Sequence, residues 1–563
     1  MAQKLILALL PLLSLATAAA QPRFTDITDS AGIDHVYAVH EGLFGGGVTV
    51  IDFNGDGYED LYLTSGLESD QLLRNNGDGT FTDVFAGSGL ELTDHFVTQG
   101  AVTADFNRDS LPDLFVTTIT STDSLQIIPR ARNLLFLGRA DGTFVDATED
   151  WGLVPLYSFS TGPSVGDFDN DGWPDLYVGN YFVGYENKLD HIDDAITVSA
   201  NQTAYGYLLR NEEGRGFRDV YREYGLQHRG FGFGAVFTDY DLDGDQDMLV
   251  NHDFGYKNTP NLLLENQYPE PKFIERGEEL GLDLGINAMS TAVGDPDRDG
   301  RFDYYFTSIK FNQYMVPDPA GTGRYVDATK RSGLNYLAIS WGTNFADFDL
   351  DGDEDLFVSN GDLNPNCQPM VNFYFDNEGG TFTENALAVG LADHGVGRGS
   401  AVFDLDNDGD LDLLAVSQIP VRDGYPVPSV TRLYRNDAPP GHWLKVRLRG
   451  TSSEASGLGS RVTAYLGGTP LLREVDGGSS SHLSQSSRLL HFGLGDADHV
   501  DSLVVVWNGG QYQRLGPQQS NQLITIVQPP APAANVRWSG GLVAVGLFLA
   551  VAGLFVWLIR RRR

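Results

Sequence analysis

The chain has 563 residues and a formal net charge of −38, from 38 Lys+Arg against 76 Asp+Glu. One lysine falls within residues 1–20 and five arginines within 537–563, with no carboxylate in either stretch, so the segment between carries −44. A surface this acidic repels phosphate backbones and excludes nucleic-acid binding, while 41% hydrophobic and 11% aromatic content excludes a disordered chain. The single cysteine, Cys367, rules out an intramolecular disulfide and a cysteine-based metal site.

Residues 1–20 read as a signal peptide. Lys4 precedes the apolar run Leu5 to Leu15, and Ala18-Ala19-Ala20 gives an A-x-A-like cleavage site.

From there to residue 440 one segment dominates. The nine-residue pattern D-x-[D/N]-x-D-[G/S]-x-x-D occurs seven times, with starts 53, 62, 72, 56, 52 and 57 residues apart. Its four oxygen-bearing positions (1, 3, 5 and 9) are Asp52, Asn54, Asp56 and Asp60 in the first copy, and Asp105, Asn107, Asp109 and Asp113 in the second. The third copy supplies Asp167, Asp169, Asp171 and Asp175, and the fourth Asp239, Asp241, Asp243 and Asp247. The fifth has Asp295, Asp297, Asp299 and Asp303, the sixth Asp347, Asp349, Asp351 and Asp355, and the seventh Asp404, Asp406, Asp408 and Asp412. Short oxygen donors at this spacing, with a backbone carbonyl at position 7, make up the six or seven hard ligands of Ca²⁺, so up to seven calcium ions are expected. Mg²⁺ fits less well because it resists an all-protein cage. Acidic turns without a metal are the alternative, disfavoured because unscreened carboxylates this close repel. Glycine at position 6 allows the positive φ that wraps the loop, and Ser110 departs from it in the second copy.

The flanks alternate like strands, as in Asp60-Leu-Tyr-Leu, so each loop joins two strands rather than two helices. A glycine stands five residues before the first aspartate in six copies (Gly47, Gly100, Gly162, Gly234, Gly342 and Gly399), with Ser290 in the other. A third strand such as Leu72-Leu73-Arg74-Asn75 follows, then a fourth of the form Phe81-Thr-Asp83. Four strands per unit and seven units predict an all-β, seven-bladed β-propeller over residues 21–440. The seventh unit ends at Asn436 without its fourth strand, and Phe24 to Thr28 is expected to supply it and close the ring.

The longest irregular stretches are the loops on the opposite side of the blades. They carry Tyr181, Phe182, Tyr185, Tyr205, Tyr256 and Tyr425, amphipathic rings suited to a partner-binding face. Gly162-Pro163-Ser164-Val165-Gly166 matches a nucleophile elbow but aligns with inner strands of the other units, so no catalytic residue is assigned. Cys367, in a Pro/Asn loop, has no assigned role.

The acidic hairpin loops, with Phe231-Gly232-Phe233-Gly234-Ala235, resemble the FG-GAP/VCBS repeats of integrin α-type propellers. Residues 441–527 resemble the UnbV/ASPIC domain through Ser456 to Val462, His491 to Gly495 and Val504 to Gly510, and alternate as a small β domain. Together they are similar to the cartilage acidic protein (ASPIC) family over residues 24–527. A linker follows at 528–537. Residues 538–559 are predicted to form a transmembrane helix or a GlyGly-CTERM-like sorting tail, and 560–563 a cytoplasmic arginine cluster. The expectation is an exported, membrane-tethered calcium-binding propeller that recognises a protein or glycan partner. An extracytoplasmic hydrolase or oxidoreductase on the same scaffold is the alternative.

Overall fold

Alternating segments flank every acidic loop, and in each case they pair antiparallel with the loop as their turn. The computed structural model describes residues 23–530 apart from 40–43, 120–121, 124–125, 128–130, 155, 157–158, 183–202, 364–365, 422–423 and 438–440. Seven antiparallel sheets hold the seven loops, and in all of them position 9 pairs with the residue just before position 1: Ile51 with Asp60, Ala104 with Asp113, Gly166 with Asp175, Thr238 with Asp247, Gly294 with Asp303, Ala346 with Asp355 and Phe403 with Asp412. Each sheet runs first strand, second, third, fourth; the first, for example, is Val48–Ile51, Asp60–Leu63, Gln71–Asn75 and Phe81–Asp83. The sixth gains a fifth strand, Ile309–Phe311, against Leu337–Ala346.

In the seventh sheet the fourth strand is Phe24–Asp26, paired with Arg432–Asn436 through Phe24 with Asn436 and Asp26 with Tyr434. The strand stops at Asp26 because its carboxylate accepts the Thr28 N–H and Thr28 opens a helical turn. An asparagine at the end of the third strand links neighbouring sheets. Asn211, Asn266, Asn377 and Asn436 each donate through Nδ2 to the position-2 carbonyl of the preceding sheet (Phe106, Phe168, Pro296 and Phe348). Asn75 of the first sheet donates in the same way to Leu405 of the seventh, at 2.8 Å. These links join five of the seven neighbouring pairs, including the first sheet to the seventh, and the all-β fold is propeller-like.

Residues 442–527 add a three-stranded sheet (Leu490–Gly495, His442–Arg449, Gln522–Val527) and a four-stranded one (Thr469–Glu474, Arg461–Leu466, Ser502–Trp507, Gln511–Leu515). Their core, with Leu444, Val462, Phe492 and Trp507, is continuous with that of the second and third sheets through Phe106, Phe115 and Val165.

One expectation is corrected. Among the described residues no helix is long and apolar enough to cross a membrane, so anchoring by a C-terminal helix is not supported. Residues 1–20 and the segments 538–559 and 560–563 lie outside the described residues.

Candidate metal centres

Three recurring hydrogen bonds shape the loops, two of them in every copy. The N–H of position 6 donates to the position-1 carboxylate at 2.8–3.1 Å in all seven copies. The N–H of position 7 donates to the position-5 carboxylate at 2.9–3.2 Å, again in all seven. At position 9, Oδ1 accepts the N–H at the end of the third strand at 2.7–2.9 Å in six copies. Position 6 takes φ of +81° to +102° at its glycines, and Ser110 takes +71°. Position 4 is left-handed as well, at Gly55, Arg108, Asn170, Leu242, Arg298, Leu350 and Asn407, which sequence reading did not anticipate.

This geometry gathers carboxylates. In the third to seventh loops, one oxygen from each of three aspartates lies within 4.8 Å of the others: Asp167, Asp169 and Asp175; Asp239, Asp241 and Asp247; Asp295, Asp297 and Asp299; Asp347, Asp349 and Asp351; Asp404, Asp406 and Asp412. The first two loops have one carboxylate fewer, because Asn54 and Asn107 hold position 3 and donate to Asp56 and Asp109. Position 9 is buried throughout. Burial, reinforced by neighbouring carboxylates, pushes Asp60, Asp113 and Asp295 up to about 8, and Asp175, Asp247, Asp347 and Asp412 well above the usual range. Asp169, Asp239, Asp303, Asp347 and Asp404 each keep a buried Oδ1 with no hydrogen-bond partner among the described residues. Buried acceptors are rarely left so, and a cation is the natural partner for acidic oxygens turned toward one another. Sequence reading missed Asp245, Asp353 and Asp410 at position 7, where it assigned only a carbonyl; the D-G-D triplet in those loops was the available signal. Asp245 and Asp353 are buried and also carry unpartnered oxygens.

The loop face is not open. Gly509 N–H donates to Gly244 O, Gly495 N–H to Leu350 O, Asn508 Nδ2 to Asp167 O, and Ser487 Oγ to Glu59, so the C-terminal domain sits on these loops. From that domain, residues 477–487 run past the first strands of six sheets and reach Met289, just before the first strand of the fifth. Gln485 N–H donates to Val48 O and its Oε1 accepts Thr103 N–H. Gly477 O accepts Val165 N–H, and Ser479 Oγ packs against Gly234. His482 reaches Met289 O, Ser481 Oγ accepts Thr343 N–H, and Ser487 N–H donates to Val402 O. This accounts for five of the six glycines five residues before the loop; at Gly342 the close atoms belong to Arg398 and Ser400. A Cβ on Gly100 would come 2.7 Å from Leu483 O, one on Gly162 2.6 Å from Ser479 Oγ, and one on Gly399 2.7 Å from His482 O.

The aromatic residues separate into two groups. Tyr181 and Phe182, expected on a partner-binding surface, are 2% and 1% exposed. They are corrected to core residues: Tyr181 packs on Phe44, Phe231 and Phe233 and its hydroxyl donates to Asp253. Their strand, Asp175–Phe182, runs longer than expected and carries both rings inward. Tyr205 is half-buried with Arg222 and Arg229 over its ring, Tyr425 is half-buried, and Tyr256 is exposed. Tyr185 lies outside the described residues. Ser164 is buried in an inner strand with its Oγ donating to Gly478 O, and Cys367 is buried.

The model for ASPIC and UnbV matches residues 450–533, and that for the FG-GAP-like repeat matches 52–116, 123–178 and 347–415. The chain thus carries segments matching FG-GAP-like repeats and, C-terminal to them, a segment matching ASPIC and UnbV. It is homologous to cartilage acidic protein 1, with 25% identity over 372 residues to the Mus musculus protein (64% of this chain, 54% of the relative) and 25% over 377 residues to the Homo sapiens protein (64% and 53%). The chain thus spans about half the length of these curated relatives. A solved lectin from Agrocybe aegerita, described as recognising non-reducing terminal N-acetylglucosamine, is 14% identical with a TM-score of 0.35, covering 60% of this chain and 79% of that one.

Proposed function

We propose that the chain is a calcium-binding seven-bladed β-propeller that serves as an adhesion or partner-recognition module. The observation that carries the calcium reading is the division of labour at position 1. One carboxylate oxygen is fixed by the position-6 N–H, while Oδ1 of Asp239, Asp347 and Asp404 stays buried without a partner. The side chains at positions 1, 3, 5 and 9 would hold the ion, which would offset the excess negative charge of these loops. Seven four-stranded units around one segment, with the first sheet linked back to the seventh, support the seven-bladed reading.

Recognition rather than catalysis is favoured because the chain's own residues 477–487 fill the axis on the loop side, and the rings of Phe44, Phe233 and Trp341 pack together within the ring. The partner, a protein or glycan, would meet the face opposite the loops, around Tyr205, Tyr256 and Tyr425. Metal content of the purified protein, with melts in calcium and in chelator, tests the first half. An unchanged melting midpoint together with no bound calcium would refute it. Glycan and protein arrays probed with wild type and Tyr256→Ser test the second; equal binding by both would move the site elsewhere.

A further inference from the structure

We infer that the C-terminal domain supplies the outer sphere of the acidic loops, so that cation binding and docking of this domain form one coupled equilibrium. The inference rests on the calcium reading above and concerns residues that reading does not use.

Two basic side chains of the domain reach position 1 of two different loops. Lys445 Nζ pairs with Asp404 Oδ2 in the seventh loop, both side chains being 3% exposed. Arg461 Nη1 pairs with Asp239 Oδ2 in the fourth, and its Nη2 donates to Leu242 O of the same loop at 2.7 Å. A third, Arg473, lies 3.1 Å from Glu354 of the sixth loop, whose other oxygen accepts the Asp295 N–H of the fifth at 2.8 Å. In the fourth and seventh loops the cation takes the oxygen that already accepts the glycine N–H. Oδ1 is the oxygen left over, buried and unpartnered in both. The side-chain cation therefore does not stand where a metal would. It anchors the carboxylate from behind, as outer partners of metal ligands do.

Two effects oppose each other. A divalent ion and an ammonium drawn to the same aspartate weaken each other's Coulomb attraction. Against this, an anchored carboxylate needs no reorganisation on binding. The seventh loop holds five carboxylates (Asp404, Asp406, Asp408, Asp410 and Asp412), so it stays negative with both cations present. Anchoring wins, and by linkage the ion favours docking as much as docking favours the ion. Since residues 477–487 belong to the same domain, cation binding also tightens the segment in the axis.

The test uses the full chain. Calcium titrations would be run on wild type, Lys445→Met and Arg461→Met, with hydrogen exchange of residues 477–487 followed with and without calcium. Each variant should bind one ion about 10–100-fold more weakly, and calcium should slow exchange of the segment in wild type more than in the variants. Far-UV circular dichroism confirms folding, and the two variants, in different loops, check each other. Wild-type affinity in both folded variants, tighter binding in either, or exchange indifferent to calcium in wild type overturns the coupling alone. A wild type that takes up no calcium overturns the calcium reading and the coupling with it.

Discussion

Gly100 carries its reason in its surroundings. Its Cα faces the Leu483 carbonyl, and an added methyl would come 2.7 Å from that oxygen, so Gly100→Ala should destabilise by about 1–3 kcal/mol in a thermal melt. Gly516, with nothing within 4 Å, should tolerate alanine and serves as the comparison. Histidines and carboxylates set opposing pH dependences. Burial pushes His35, His252 and His491 down to about 4 and His482 to about 3, so their contribution is complete above 6.5 and is lost as pH falls toward 4. Asp60, Asp113, Asp295 and Asp349 are pushed up to about 8, so in metal-free protein their contribution is complete below the ordinary carboxylate range and is lost as pH rises to 8. A bound cation keeps those aspartates ionised and removes the second dependence. Protein in chelator should therefore melt higher at pH 5 than at pH 8, and calcium-loaded protein the reverse. The same ordering in both conditions would contradict this account.

Among the hairpins the fifth differs. Proline occupies both places from which the other loops donate an N–H to position 9, Pro296 at position 2 and Pro317 at the end of the third strand. Asp303 is left with the Tyr314 hydroxyl on one oxygen and, among the described residues, no partner on the other, and burial raises it well above the usual carboxylate range. Metal-free, burial favours the protonated acid here; with calcium bound this side chain would be a ligand with little other support. Asp303→Asn should leave the melting midpoint in chelator unchanged or higher and lower it in calcium. Asp60→Asn, whose native carboxylate accepts two backbone N–H groups, should keep most of its metal-free stability as well but lacks the gain. A midpoint that drops equally with and without calcium for Asp303→Asn would assign the residue a purely structural role.

For the whole molecule, two ends of the chain hold the ring. Phe24–Asp26 closes the seventh sheet, as its sequence suggests, and deleting it should lower the midpoint of the entire ring. The C-terminal domain is the second support. Removing the domain withdraws 477–487 from six first strands and from Met289, and uncovers Leu444-facing core at the second and third sheets. Truncation at Gly441 should lower the midpoint by at least as much as loss of the closing strand and raise binding of an apolar dye. A truncated ring that melts like the full chain would show that the axial segment adds no stability.

The number of acidic loops, their oxygen positions and the closing strand were legible in the sequence because each depends on local spacing: a fixed offset between aspartates, a period of two in the flanks, and a missing fourth strand with a match at the other end. What the tertiary structure alone decided are contacts without any such period. Leu483 and Ser479 lie hundreds of residues from Gly47 and Gly162, Asn75 finds the Leu405 carbonyl across the closure, and Lys445 and Arg461 find Asp404 and Asp239 only when the second domain docks. Tyr181 and Phe182 read as surface rings because they border an insertion, and are core because their strand continues inward past the expected turn. Burial and charge pairing across elements depend on where distant segments come to rest, and neither spacing nor composition encodes that.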